Sequence, residues 1–348
     1  MNNNENDFEG LEKHILINFI SNDLTSVSQS DSIDGCRKLS YEDLSSICKE
    51  VQCNILSKLS NNFFDSYILS ESSLFVYPFK IVLMTCGSTT ILKAIDLILK
   101  LTNEKLNLIP LSIIYYRNKF MFEDKQLYPH QSINQELDYL INNEKINKDC
   151  KKNYTHILGD LNNDYLLINQ NIAITTQEPP LRWQSKSFGL TSASESHTVL
   201  FDLEIFKIMM FDIDNDIAKL FYKSEKNLDL VEEIINKILP KNIKIDEHYF
   251  TPCGFSLNAI IDEYYYTIHI TPNSGCSYVS FETNQPIENH QYLINNVINI
   301  FLGKKIIINF INCKNEYFDI KYLDNYSEIT SKICKVNNNL YCSLHIIT

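Results

Sequence analysis

No stretch of the chain approaches the 18 consecutive apolar residues that a membrane-spanning helix needs, and the best runs, such as KKIIINFINC from Lys304, are soon broken by polar residues. A bilayer-crossing helix is therefore excluded. Basic residues are also short: 31 lysines and arginines stand against 43 aspartates and glutamates, a formal charge of -12 over 348 residues. A general binder of phosphate backbones needs a basic face to displace counterions, so nucleic acid is not an expected partner. The ten cysteines contain no CxxC pair, and the eight histidines contain no HExxH and no close His/Cys cluster. Neither a zinc site nor a disulfide framework is expected, and no metal; free thiols in a reducing compartment are the simpler reading. The opening MNNNENDFEG is polar and acidic where a signal peptide needs a basic and then an apolar stretch, which predicts a cytoplasmic chain. With no Pro/Gly/Ser linker and no visible repeat period, one domain over residues 1–348 is expected.

Hydrophobic residues make up 44% and charged residues 21%, so the chain can bury a full core. Asn-rich tracts such as MNNNEN and NNDYLLINQN read as compositional bias. Helical periodicity is clearest over 41 to 59, where Ser40 and Asp43 form a capping-box pattern ahead of Leu44, Ile47, Val51, Ile55 and Leu59. Similar patterns cover about 88 to 101, 134 to 143, 228 to 238 and 288 to 302. Other segments alternate. In YYYTIHIT, from Tyr264, one face carries Tyr264, Tyr266, Ile268 and Ile270, and the other Tyr265, Thr267, His269 and Thr271. This run and CSYVSFET, across the turn PNSG, read as a hairpin; 66 to 77 and 79 to 86 read as a second pair joined at Pro78. Helices are too few for a strict βαβ alternation, so mainly antiparallel sheets covered by helices are expected.

Glu71-Ser72-Ser73 alone is a weak signal, because such triplets occur by chance and usually form a turn or strand edge. The block from Tyr67 to Thr90, YILSESSLFVYPFKIVLMTCGSTT, carries more. It resembles the self-cleavage region of eukaryotic S-adenosylmethionine decarboxylase proenzymes, in which a Glu-Ser-Ser triplet precedes a strand ending Thr-Cys-Gly-Thr-Thr at fixed distance. FEGLEKHI (8 to 15), TPCGFSLNAI (251 to 260) and TIHITPNSGCSYVSFETN (267 to 284) follow in the family's order, with weaker similarity at YRNKF, YPH and LFY. The resemblance spans most of residues 8 to 310.

It implies an α+β fold, a four-layer αββα sandwich with two mainly antiparallel sheets, and a proenzyme cut into a small chain (1–71) and a large chain (72–348). The chemistry explains the need for the cut. Removing carbon dioxide from an amino acid leaves a carbanion at Cα, which requires an electron sink conjugated through an imine. No side chain is such a sink. A pyruvoyl group is, and the resemblance implies that Ser72 becomes one after its hydroxyl attacks the Glu71 carbonyl, forming a Schiff base with S-adenosylmethionine in the mature enzyme. The product would be the aminopropyl donor for spermidine and spermine synthesis. The resemblance further gives Ser256 and His269 processing roles, Cys86 the role of proton donor, and Glu71 a place at the cleavage site and in the active site. Phe8 and Phe250 would sandwich the adenine, the backbone of Leu69 and Glu71 would read its edge, and the partner chains would be the two fragments themselves, with a homodimer found in some relatives. Without the resemblance, His269 reads as a satisfied strand histidine, Ser256 as a turn residue, and Cys86 as a small buried hydrophobe.

Two positions depart from the family pattern. Asn273 stands where a glutamate usually accepts both ribose hydroxyls, so weaker ribose binding is expected. Leu16 and Lys207 stand at positions acidic in relatives that bind putrescine, while Glu282 is retained; a built-in ammonium beside Glu282 predicts no putrescine stimulation. Two rival readings are a non-catalytic partner that activates such a decarboxylase and a Cys/His hydrolase using Cys86 and His269. The first would typically lack the cleavage serine or its helpers, and the second lacks an independent nucleophile signature.

Overall fold

The computed structural model describes residues 8–22, 34–173, 188–189, 200–201, 203–223, 227–320, 323 and 326–348. The first seven residues of the polar amino-terminal tract lie outside them.

Among the described residues, eighteen strands form two eight-stranded sheets and a short ribbon. The first sheet contains β1 (Lys13–Ser21), β2 (Ile55–Ser60), β3 (Asp65–Leu69), β4 (Ser72–Val76), β5 (Lys80–Thr85), β6 (Leu108–Asn118), β7 (Cys150–Gly159) and β8 (Tyr165–Ala173). β9 (Phe188–Gly189) pairs with β10 (Leu200–Phe201). The second sheet contains β11 (Glu204–Phe211), β12 (Lys244–Tyr249), β13 (Phe255–Ile261), β14 (Tyr264–Thr271), β15 (Tyr278–Thr283), β16 (Lys305–Asn312), β17 (Ile329–Asn337) and β18 (Leu340–Ile347). The strand orders, β2-β3-β4-β5-β1-β6-β8-β7 and β12-β13-β14-β15-β11-β16-β18-β17, are the same topology twice. An internal structural repeat is therefore present that shows no period in the sequence.

Alternation along the strands builds four layers. In the first sheet Ile15, Ile17, Leu74, Ile81 and Leu83 face helices α1 (Tyr41–Glu50) and α2 (Ala94–Leu106), while Leu16, Phe75, Val82 and Met84 face the other sheet. In the second, Phe206, Ile208, Ile268 and Ile270 face α6 (Leu228–Ile238) and α7 (His290–Phe301), while Ile205, Met209 and Tyr265 face inward. The inner strands of each sheet are buried on both faces, as expected of sheets packed between helices and a second sheet, while the edge strands β2, β7, β12 and β17 are partly exposed. The remaining helices are α3 (Ile133–Ile141), α4 (Glu144–Asp149) and α5 (Asn215–Lys219). The antiparallel αββα expectation holds.

Two local expectations are corrected. The Ser40–Asp43 capping box is present, but the helix it starts ends at Glu50, and residues 55–60 form β2. Gln52, at φ 66°, breaks the helical path. The segment 66 to 77 is not one strand but β3 and β4, folded back on each other at Ser70-Glu71, and β4 rather than the whole segment pairs with β5.

Candidate active site

Ser72 opens β4 directly after that tight turn, and its pairing with Leu69 on one side and Thr85 on the other locks it into the sheet. Its φ is 120°, in a region that side-chain-bearing residues rarely adopt and that stores about 1–3 kcal/mol of strain. In a regular pleat consecutive side chains point to opposite faces. Here both Ser72 Oγ and Ser73 Oγ lie 3.1 Å from Nε2 of His269. The twisted entry into β4 thus presents two consecutive hydroxyls to one imidazole of the opposite sheet. The Glu71 carbonyl, on the other side of the Glu71–Ser72 peptide, accepts the backbone N–H of Cys86 at 2.9 Å.

The second sheet supplies the partners. His269 lies on the inward face of β14 with Thr267, opposite Ser256 of β13 in the ladder. Its Nδ1 is 2.8 Å from Ser256 Oγ, and Thr267 Oγ1 is 2.7 Å from Nε2. Burial, with Lys207 adding to it, lowers the His269 pKa to about 4 against an upward pull from Glu12, so the ring is neutral at pH 7. With Nδ1–H donating to Ser256, Nε2 carries a lone pair facing the two serines. Asn258 braces the hairpin: its Oδ1 accepts from Ser73 Oγ at 2.7 Å, and its Nδ2 donates to Ser66 Oγ and Tyr67 O.

Cys86 follows β5, and its thiol donates to Glu71 Oε2 at 3.7 Å. Burial first, then the Glu71 and Glu12 charges, push its pKa well above the ordinary thiol value, so it stays protonated. Gly87 beside it has φ 64°, a backbone that favours glycine, and a Cβ there would crowd Glu71 Oε2 at 3.2 Å and touch the Phe8 ring at 3.5 Å.

A cavity of about 330 Å³ opens onto this group, lined among others by Phe8, Glu71, Ser72, Cys86, Phe250, Ser256, His269 and Asn273. Eight of the nine residues expected at the site are thereby brought together or placed at its wall. Leu69 is the exception: its side chain lies in the core between the first sheet and its helices, and only its strand backbone adjoins the turn. Asn273 Oδ1 accepts from the Cys253 thiol at 3.4 Å.

Behind His269 lies a buried charge cluster. Lys207 Nζ is 2.7 Å from Glu12 Oε2 and 3.7 Å from Glu282 Oε2; His14 Nε2 is 3.0 Å from the same Glu282 oxygen. Tyr278 and Ser280 donate to Glu12, and Tyr265 donates to Glu282. Burial alone would push Glu12 up, but Lys207, His269 and His14 pull it down to about 2. Leu16 packs in the apolar core between the sheets. Sequence reading missed His14, Thr267, Asn258 and the Cys86 N–H. The signal for the first was available: EKH just ahead of the mainly apolar run ILINFI puts charge where apolar side chains belong.

Among the described residues, no group of three or more His, Cys, Asp or Glu is placed to hold a metal ion, and no helix is long and apolar enough to cross a membrane. All ten cysteines are free thiols.

The profile of the adenosylmethionine decarboxylase family matches residues 5–344. S-adenosylmethionine decarboxylase proenzymes of Dictyostelium discoideum (33% identical, covering 84% of this chain and 72% of that protein) and Drosophila melanogaster (34%, covering 93% and 88%) are similar over most of their length. That of Catharanthus roseus is 36% identical, covering 79% of this chain and 70% of its own. Among solved structures, the Trypanosoma brucei AdoMetDC-delta26 monomer shares the fold, with a TM-score of 0.56 at 17% identity, covering 79% of this chain and 98% of that one.

Proposed function

The chain belongs to the adenosylmethionine decarboxylase family, and on that premise we propose that it is a proenzyme that cuts itself between Glu71 and Ser72 and then decarboxylates S-adenosylmethionine. The observation that carries this reading is the strained Ser72, with its hydroxyl 3.1 Å from a neutral, buried His269.

Ser72 Oγ attacks the Glu71 carbonyl carbon, the Glu71–Ser72 C–N bond breaks, and the hydroxyl proton passes to the nitrogen of residue 72, which leaves His269 Nε2 free for the next step. The negative charge that develops on the Glu71 oxygen meets the Cys86 N–H, an oxyanion donor worth about 2.7–4 kcal/mol in comparable sites. An ester is normally less stable than the amide it replaces, and release of the Ser72 backbone strain offsets part of that difference. The Cα proton of residue 72 then leaves to His269 while the ester Cβ–O bond breaks, which gives a Glu71 carboxylate and a dehydroalanine. Water converts the dehydroalanine to a pyruvoyl group with loss of ammonia. Ser256 holds the far side of the imidazole and fixes its tautomer.

The pyruvoyl group supplies the electron sink that lets an α-carboxylate leave. Its surroundings suit that role, residue 72 being buried, rich in hydroxyl neighbours and reached through the cavity. Cys86, kept as a thiol by burial, is the group suited to return a proton to the substrate Cα. Phe8 and Phe250 line the cavity where aromatic faces would attract a sulfonium cation and adenine, each cation–π contact being worth about 0.5–2 kcal/mol. Asn273 offers the ribose one uncharged acceptor. Lys207, between Glu12 and Glu282, sits as an internal cation where an activating diamine would otherwise be needed. A cytoplasmic setting fits ten free thiols.

Intact mass of the purified protein tests the proposal. Two fragments, 1–71 and 72–348, are expected, the larger without a free amino terminus, and Ser72→Ala should leave one chain of 40.5 kDa. A wild-type chain that stays whole would overturn it.

A further inference from the structure

Lys13 opens β1 with 0% of its surface exposed, yet it makes no ion pair within 4 Å among the described residues. Burying an ammonium without a carboxylate partner is expensive enough that an apolar residue would be the default at a fully buried strand position. Its hydrogen bonds show where it is spent. Nζ donates to the Gly87 carbonyl at 2.8 Å and to Gln126 Oε1 at 3.0 Å, and the ammonium lies 5.1 Å from the centre of the Phe120 ring.

The Gly87 carbonyl belongs to the turn that carries Cys86. Every other polar backbone group of residues 86 and 87 is also engaged. Cys86 N–H points at the Glu71 carbonyl, Cys86 O accepts from Thr89 Oγ1 at 2.7 Å, and Gly87 N–H donates to Glu9 O at 2.8 Å. Glu9 is itself pinned, its carboxylate oxygens accepting from Leu11 N and Phe122 N. Among the described residues Lys13 is the side-chain cation bonded to this turn, and it sits on the Gly87 carbonyl, two peptides beyond the one that carries the oxyanion donor.

We propose that Lys13 is a positioning residue for self-cleavage: through the Gly87 carbonyl its ammonium fixes the Cys86–Gly87 turn so that the Cys86 N–H stays aimed at the Glu71 carbonyl. The inference rests on the reading of Ser72 as the cleavage serine. Lys13 touches neither reacting atom, and its effect passes through the peptide it holds. A misalignment of about 1 Å in a reacting group can cost about 100-fold in rate, so loss of this clamp should be visible.

The charged and titratable groups around the ammonium are Glu9 and, from the elements packed against it, Glu71, Cys86, Arg117, His130 and Glu136. Burial lowers the Lys13 pKa to about 8, whereas Cys86 lies far higher and His269 near 4. Cleavage should therefore slow as pH rises through about 8 and the ammonium loses its proton.

Two measurements test this. In chains with intact Ser72, the cleavage time course of Lys13→Met should be at least ten-fold slower than the parent and should lack the decline above pH 8, while Glu9→Gln keeps that decline. In the uncuttable Ser72→Ala background, Lys13→Met should remain folded by circular dichroism and exchange amide hydrogens over residues 85–90 at least ten-fold faster. A folded Lys13→Met chain that cleaves within two-fold of the parent, or that retains the alkaline decline, overturns the proposal, as does unchanged exchange. If the parent chain does not cut itself, the reading of Ser72 falls, and the exchange measurement alone then decides whether Lys13 holds the turn.

Discussion

Replacing Lys207 with methionine removes the ammonium from the buried cluster of Glu12, Glu282 and His14, and two independent routes give the same magnitude. Breaking a buried ion pair by deleting one partner typically costs about 3–5 kcal/mol. Separately, the Glu12 carboxyl is held at about 2 against 4.5 for an ordinary glutamate, which corresponds to about 3 kcal/mol of folding stability at neutral pH. A folded-state pKa below the unfolded one means that this stability is fully present above pH 4.5 and is lost as pH falls toward 2. Lys207→Met should therefore lose about 3 kcal/mol in urea unfolding at pH 7, and the gap from the parent should close progressively below pH 4.5. Removal of Lys207 also lets His14, now held down by burial and by that ammonium, take up a proton beside Glu282, so the loss falls at the lower end of the range. The same variant should acquire a response to putrescine in its cleavage rate, because a diamine can restore positive charge between the two carboxylates, whereas the parent should show none. The reasoning fails if the stability loss at pH 7 is below 1 kcal/mol or does not change with pH. Several-fold stimulation of the parent by putrescine would refute the claim that Lys207 is a built-in substitute.

His269→Ala should allow the acyl shift but stall the elimination, so uncut chains accumulate an ester that hydroxylamine splits at residue 71; the rate of spontaneous cleavage should fall at least 100-fold, the scale of a lost general base. Full-speed cleavage of this variant would remove His269 from the scheme. Asn273→Glu should lower KM for S-adenosylmethionine by restoring a charged double acceptor, with kcat little changed, and unaltered substrate affinity would show that another group already serves the ribose.

The fold class was legible because both hydrophobic periods were clean: α6 shows Val231, Ile234, Ile235 and Ile238 buried on one face, and β14 separates Ile268 and Ile270 from Thr267 and His269 as its alternation requires. The turn between β3 and β4 was not. Tight hairpins normally advertise themselves with Asn-Gly or Asp-Gly, whose backbones tolerate positive φ without strain. Ser70 and Glu71 give no such sign, and positive φ falls instead on Ser72, the serine proposed to be cut. Local turn chemistry is violated at the proposed cleavage site, so a run of strand-forming residues concealed the break. The repeat of the sheet order was hidden for a different reason. Topology constrains which positions are apolar but not which apolar residue fills them, and the two halves share only that pattern. Lys207 was visible as a misplaced charge in IFKIMM, but its bond to Glu12 depends on β1 and β11 facing each other across the sheets.

For the self-cleavage proposed above, the location of the strain sets the order of events. A residue held at φ 120° relaxes unless its surroundings over-determine it, and β4 is held within its own sheet by β3 and β5. That is insufficient for cleavage, because the base and the Asn258 brace come from β13 and β14, nearly 200 residues further along the chain. An isolated first sheet would have the scissile bond and the Cys86 N–H but no neutral imidazole within reach of Ser72. Self-cleavage must therefore wait until the second sheet is folded and docked. Cutting earlier would also sever β3 from β4 before the second sheet could hold them, whereas after docking the new chain ends remain paired in the ladder on both sides. The peptide can then be broken without releasing the strands.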